Sequence, residues 1–183
     1  MKNFLSFVWE IIKVVVTALV IVLPIRFFLF QPFLVWGQSM SPSFETGDYL
    51  IVDEISYRFQ EPKRGEVIVF KNPLNPRQRF IKRIIGLPGE TIKFKEGKII
   101  ISNKNGEFIL DESSYLPPYV MTEPRTFESI TLKENEYFVL GDNRKDSADS
   151  RIFGPVPRKY IIGRVIIRAW PFNKAKCFLN PVY

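Results

Sequence analysis

The sequence predicts a mainly β protein, an antiparallel, barrel-like sheet domain preceded by one N-terminal transmembrane helix. Three observations predict it. Short runs of β-branched and aromatic residues recur from Tyr49 onward, divided by glycine- and proline-bearing turns. Ahead of them lies an uncharged apolar stretch, Val14–Ile25. No repeat or low-complexity tract is present, and 183 residues suit one folded domain with an appendage.

The apolar stretch reads VVVTALVIVLPI, preceded by Ile11-Ile12 and followed by Phe27-Phe28-Leu29-Phe30. Crossing a bilayer takes roughly 20 helical residues. Positions 7 to 28 reach that length if Lys13 and Arg26 sit at the interfaces with their charges in water. A cleaved leader would need a small-x-small site, and bulky FFLFQPFLVW follows instead. A half-exposed core helix would need a polar face, which a dozen apolar residues do not supply. Residues 1–30 are therefore read as a cytoplasmic stub plus anchor, and 31–183 as the folded domain. Lys2 and Lys13 outweigh Arg26, which places the N-terminus in the cytoplasm and the domain on the outer face of the cell membrane.

Strands are expected at Tyr49–Val52, Val67–Phe70, Phe80–Ile85, Thr91–Phe94, Ile99–Ile101, Tyr137–Leu140 and Val165–Ile167. Turns are expected at 45–48, 64–66, 87–90, 96–97 and 105–106, with Pro88-Gly89 suited to the centre of a type II turn. Positions 104–132, with Pro117-Pro118, form the least regular stretch and read as a long excursion.

Composition excludes several chemistries. There is no histidine, so neither a Ser-His-Asp triad nor an HExxH zinc site is possible. The single cysteine, Cys177, cannot form an intrachain disulfide and is read as structural. No metal or cofactor is expected. The net charge is +7 and the pI about 9.5. Acidic residues are interleaved with the basic ones, so the excess suits an anionic bilayer surface and not nucleic acid.

Without histidine, a catalytic serine needs another base, and lysine is the known substitute. The amine must then be neutral near pH 7. That requires a fall of roughly 2–3 units from about 10.4, or about 3–4 kcal/mol, which burial can supply. Lys82 stands between Phe80-Ile81 and Ile84-Ile85 in a strand pattern that puts Phe80, Lys82 and Ile84 on one face. By pattern alone it is either solvent-facing or desolvated and functional. Arg79 and Arg83 read as surface charges. Ser39 lies between Gly37 and Pro42, residues that suit a fixed turn presenting its hydroxyl and backbone N–H. Taken alone, it is an ordinary loop serine. Gly141–Arg151 (GDNRKDSADSR) is a polar run in which Asp142, Asp149, Arg144 and Arg151 can form ion pairs and Ser147 can orient another group.

Together, in order and spacing, these segments resemble the bacterial type I signal peptidases, membrane-bound Ser-Lys endopeptidases. The resemblance runs through Gly37–Phe44, Gly47–Val52, Arg64–Phe70, Ile81–Glu90, and Gly141–Arg151 with Phe153-Gly154. It implies that Ser39 is the nucleophile and Lys82 its general base. It further implies that Ser147 hydrogen-bonds and orients the lysine, that Asp142, Arg144, Asp149 and Arg151 support the site, and that the Ser39 N–H is one oxyanion donor. Phe33, Val35, Met40 and Ile81 match pocket-lining positions.

The implied substrates are exported preproteins cut after their signal peptides, with small side chains at the first and third positions before the scissile bond. Phe27, Phe28, Phe30, Phe33 and Trp36 suit the bilayer surface. One departure concerns the second oxyanion donor: Gly37 stands where some members carry a donating serine. The segment from Glu90 to Gly141 is short and cysteine-free, so the large disulfide-bearing domain of some relatives is missing. A self-cleaving repressor of related fold and a non-catalytic anchored binding module remain as alternatives.

Overall fold

Period-two alternation of apolar residues folds most of the chain into antiparallel strands. The protein was analysed as a computed structural model that describes residues 2–28 and 30–178; the side chains of 2, 3, 5, 21, 23–28 and 30 lie outside that description. In chain order come α1 (Lys2–Phe28), β1 (Phe30–Leu34), β2 (Tyr49–Asp53), β3 (Val67–Asn72), β4 (Asn75–Gly86), β5 (Thr91–Lys95), β6 (Lys98–Asn103), β7 (Gly106–Ile109) and β8 (Ser129–Thr131). There follow β9 (Glu136–Leu140), the one-turn helix α2 (Ser150–Phe153), β10 (Val156–Pro157), β11 (Ile161–Trp170) and β12 (Lys176–Cys177).

An eight-stranded sheet runs β1-β2-β11-β3-β4-β9-β10, with β12 on β11, and a four-stranded sheet runs β7-β6-β5-β8. Every pairing is antiparallel. Among the described strands the larger sheet follows an open path, so the mainly antiparallel β expectation is met and closure into a barrel is not. The strands expected from sequence are all present. Strand β1 was not anticipated, because its FQPFL reads as the tail of the apolar stretch. The excursion at 104–132 is partly regular, since β7 and β8 lie within it.

Residues 2–28 are helical, as the apolar stretch required. Among the described residues, however, no helix is long and apolar enough to cross a membrane. Glu10 and Lys13 interrupt the first half of α1. The second half, including the expected interfacial Arg26 and the aromatic side chains of Phe27, Phe28 and Phe30, lies largely outside the described side chains.

Strand β4 organises the core. Its first half is exposed and its second half, Ile81–Gly86, is buried throughout. Ile81 joins one cluster with Val35, Met40, Phe44 and Leu50; Ile84 joins a second with Ile68, Phe70 and Val139; Ile85 joins a third with Ile92, Ile101 and Phe138. The third cluster ties the small sheet to β4 and β9. Phe138 is fully buried there, its ring 6.1 Å from Phe94 and 6.4 Å from Phe127. Phe138→Ala is expected to cost about 3–5 kcal/mol of unfolding free energy, read as a lowered denaturation midpoint, because the two sheets cannot collapse onto the vacated volume.

Candidate active site

Lys82 sits where β4 passes from exposed to buried. Its backbone pairs with Ile68 on β3, and its side chain is 3% exposed. The Nζ lies 2.7 Å from Ser39 Oγ and donates to the carbonyl of Ile81 at 2.8 Å. Phe80 covers it, with Nζ 5.4 Å from the ring centroid, as expected for neighbours on one strand face. Burial pushes this amine down to about 8, against the pull of Asp149 and Asp142, which favour its charged form. Of the two readings its sequence pattern allowed, Lys82 has the desolvated one.

Ser39 stands at a turn held from three directions. Ser41 N–H donates to Gln38 O at 3.0 Å, Asn143 N–H to Ser39 O at 3.1 Å, and Asn143 Nδ2 to Gln38 O at 3.2 Å. The next residue, Met40, is 1% exposed and fixes the turn to the core. Gly37 adopts φ +95°, and its N–H donates to Thr46 Oγ1 at 3.0 Å while the threonine hydroxyl donates back to its carbonyl at 3.0 Å. The left-handed backbone accounts for glycine here. The Ser39 N–H makes no hydrogen bond among the described residues and remains available to a ligand oxygen.

Gly141, at the end of β9, meets the back of this turn. A Cβ there would lie 2.3 Å from Ser39 O and 2.2 Å from Ser147 Oγ, so only glycine permits the approach. Ser147 is thus beside the Ser39 backbone. Its buried hydroxyl, however, has no hydrogen-bond partner among the described residues. The hydrogen bond to Lys82 implied by resemblance is absent here, because Nζ is turned onto Ile81 O and Ser39 Oγ.

The ion pairs also differ from the expected grouping. Asp149 pairs with Arg151, at 2.9 Å from both Nε and Nη2, and accepts the Gly141 N–H at 3.1 Å. Asp142 pairs with Arg83, at 2.9 and 2.6 Å, and not with Arg144 or Arg151. Arg144 turns instead to Glu112. Arg83, read as a surface charge, is 5% exposed and also donates to Gly65 O at 2.9 Å. A strand position next to a buried lysine was the available signal, but its partner lies 59 residues away. Glu112 and Asn143 were not singled out, and no local pattern marks them.

The two carboxylates that would keep Lys82 charged are each neutralised by an arginine. The Lys82 amine is therefore surrounded by paired charges and apolar groups, and desolvation prevails. Above Ser39 and Lys82 opens a cleft of about 230 Å³, lined by Phe33, Leu34, Trp36, Gly37, Arg79, Phe80, Ile81 and Ala148. Phe33 and Ile81 line it as expected. Val35 and Met40 are each 1% exposed and pack with Ile81 in the core beneath. Among the described residues, no group of histidine, cysteine or carboxylate side chains is placed to hold a metal ion.

Residues 8–170 match the family described as signal peptidase, peptidase S26. The chain belongs to this family. It is accordingly a serine peptidase, a hydrolase. Its relatives include signal peptidase I of Leptolyngbya laminosa, 39% identical over 173 residues, covering 90% of this chain and 81% of that protein. Signal peptidase I of Bacillus caldolyticus is 38% identical over 168 residues, covering 86% and 88% respectively. A crystal structure of a signal peptidase I from Enterococcus faecalis V583 is 36% identical, covers 57% of this chain and 97% of that one, and superposes with a TM-score of 0.46. In this S26 peptidase the segments Gly37–Phe44 and Ile81–Glu90 meet through Lys82 Nζ and Ser39 Oγ, at 2.7 Å.

Burying the amine has a cost in stability. Below pH about 8 the native Lys82 carries its proton inside an apolar shell, and the cost is fully present. Between about 8 and the usual 10.5 the unfolded chain binds that proton and the native one does not, so stability rises with pH. Lys82→Met is therefore expected to be more stable than wild type below pH 8, by about 3 kcal/mol. The gain should vanish toward pH 10.5 in denaturant titrations across that range. Arg83→Ala has the opposite effect, leaving Asp142 buried without its partner and lowering stability by about 3–5 kcal/mol in the same assay.

Proposed function

We propose that this S26 peptidase removes N-terminal signal peptides from exported preproteins, with Ser39 as nucleophile and Lys82 as general base. The reading is carried by one observation, a buried lysine amine 2.7 Å from a serine hydroxyl at the floor of an apolar cleft. At that separation an ammonium donates to Oγ, whereas a neutral amine accepts the hydroxyl proton. The Ser39 proton passes to Nζ as Oγ attacks the scissile carbonyl, and the Ser39 N–H faces the oxyanion. The ammonium then gives the proton to the leaving amine as the C–N bond breaks, releasing the mature chain and leaving an ester on Ser39. Water, deprotonated by Lys82, hydrolyses that ester and restores the hydroxyl.

Gly37 offers no side-chain donor, so a second oxyanion contact must come from elsewhere. A neutral Lys82 keeps two N–H donors, one for Ile81 O and one that can turn to the unpartnered Ser147 hydroxyl. The support network of Asp142, Arg144, Asp149 and Arg151 keeps this pocket dry and its charges paired.

Main-chain geometry supports an extended substrate. Among the described strands, β1 pairs only with β2, and residues 79–82 of β4 pair with β3 on one side and with none on the other. Both open edges border the cleft, where a peptide can add as a strand. Phe33 and Ile81 limit the space for side chains near the scissile bond, which favours small residues at the first and third positions before it.

The exposed apolar surface of α1, including Trp9, Val14, Val15, Leu19 and Val22, supports residues 1–30 as a bilayer anchor with residues 31–183 as the peptidase domain. Exposed Trp36 beside the cleft suits the lipid surface where signal peptides emerge. With the N-terminus cytoplasmic, the domain lies on the outer face of the cell membrane.

In detergent or liposomes, the wild type should cut a signal-peptide-bearing preprotein after its small-x-small site, and Ser39→Ala and Lys82→Ala should not. Equal cleavage by all three would remove the dyad. The wild-type rate should climb with pH through a midpoint near 8 as Lys82 loses its proton. A flat profile from pH 5 to 10, with chemistry rate-limiting, would contradict the assignment.

A further inference from the structure

The stretch between β7 and β8 is mostly irregular, yet it holds the loop behind the dyad through one carboxylate. Glu112 receives both terminal nitrogens of Arg144, at 2.8 and 2.5 Å. The Tyr115 hydroxyl donates to the same carboxylate at 2.7 Å. From Glu112 the contacts lead both ways around the site. Arg144, whose side chain is fully buried, also donates to Thr122 Oγ1 and, through Nε, to Gly141 O at 3.1 Å. Gly141 is the residue that abuts Ser39 O and Ser147. On the other side the Tyr115 ring lies 4.0 Å from the guanidinium carbon of Arg83, next in sequence to Lys82.

We propose that Glu112 is a positioning residue: through Arg144 and Tyr115 it holds the 141–147 loop and the Arg83 end of β4 closed around the Lys82 amine and keeps water from it. The inference rests on the Ser39/Lys82 reading. An arginine paired in two places to one carboxylate has its plane and position fixed. Without Glu112, Arg144 becomes a buried cation lacking its counter-charge and is driven toward water, drawing its Gly141 contact with it. The charged and titratable groups facing Glu112 are Arg144 and Tyr115. Those facing Lys82 are Asp142 and Asp149, each paired with its own arginine. Loosening the loop admits water to the amine, and the hydrated amine holds its proton more tightly. The chemical step then suffers while the cleft is untouched.

The test uses the full chain in detergent micelles with a signal-peptide-bearing preprotein. kcat and KM are measured from pH 6 to 10 for wild type, Glu112→Ala, Glu112→Gln, Tyr115→Phe and Lys82→Ala, each with its melting temperature. Glu112→Ala is expected to lower kcat roughly 10–100-fold with KM little changed, as for a small misplacement of reacting groups. Its rising pH limb should move alkaline by about half a unit to one unit. Glu112→Gln, which keeps an acceptor oxygen, should fall between it and wild type. A purely structural residue would lower the melting temperature and leave the limb of the folded enzyme in place, and that result overturns the proposal. So does a folded Glu112→Ala with wild-type kcat and pH profile beside an inactive Lys82→Ala. Should Glu112→Ala fail to fold, Glu112→Gln and Tyr115→Phe decide, and wild-type behaviour in both overturns it. An active Lys82→Ala removes the dyad reading and this inference with it.

Discussion

The structure depends on keeping one lysine amine out of water. Lys82 lies 2.7 Å from Ser39 Oγ, and burial pushes its amine toward the neutral state. Two aspartates nearby act against it. Were either free, its field in a low-dielectric site would restore the ammonium. Arg83 and Arg151 offset those fields at contact distance, and the sheets supply the apolar remainder. These ion pairs thus act as electrostatic screens around a buried amine.

Placement of the amine follows from the course of β4. Its transition from exposed to buried occurs at Ile81, so Lys82 is among the first residues inside. Ser39 comes from a turn whose next residue, Met40, is core. Both side chains are therefore fixed by the apolar packing of their sequence neighbours, and Gly141 brings the third segment against the Ser39 carbonyl without a side chain between.

Much of this was legible in the sequence. Strand runs from Tyr49 to Ile167 show their alternation locally, and the absence of histidine directs attention to a lysine base. Residues 39, 82 and 141–151 stood out by type and spacing, and the fold brings them together. What remained hidden was non-local. Arg83 looks like any strand-edge cation until Asp142 arrives from β9. Glu112 sits in an excursion whose composition suggests only a loop. Val35 continues the inward alternation of Phe33, and Met40 reaches the same cluster past the Gly37 turn, so both belong to the core and not to the cleft wall. Strand β1 was obscured because FQPFL continues the apolar character of the helix before it. Ser147 lies where its segment implied, but a hydroxyl's partner depends on a lysine rotamer that sequence does not encode.

The open edge of β4 beside Ser39 has a consequence for selectivity. On the proposed reading, a peptide docked there would be held chiefly by peptide groups, which every polypeptide shares, and inspected only where a side chain meets the Phe33–Ile81 wall. Such a cleft would ask little of sequence beyond small side chains near the scissile bond. One active site would then accept many unrelated chains. Further discrimination would come from what delivers an extended segment to the edge, since a folded protein has no free backbone to offer.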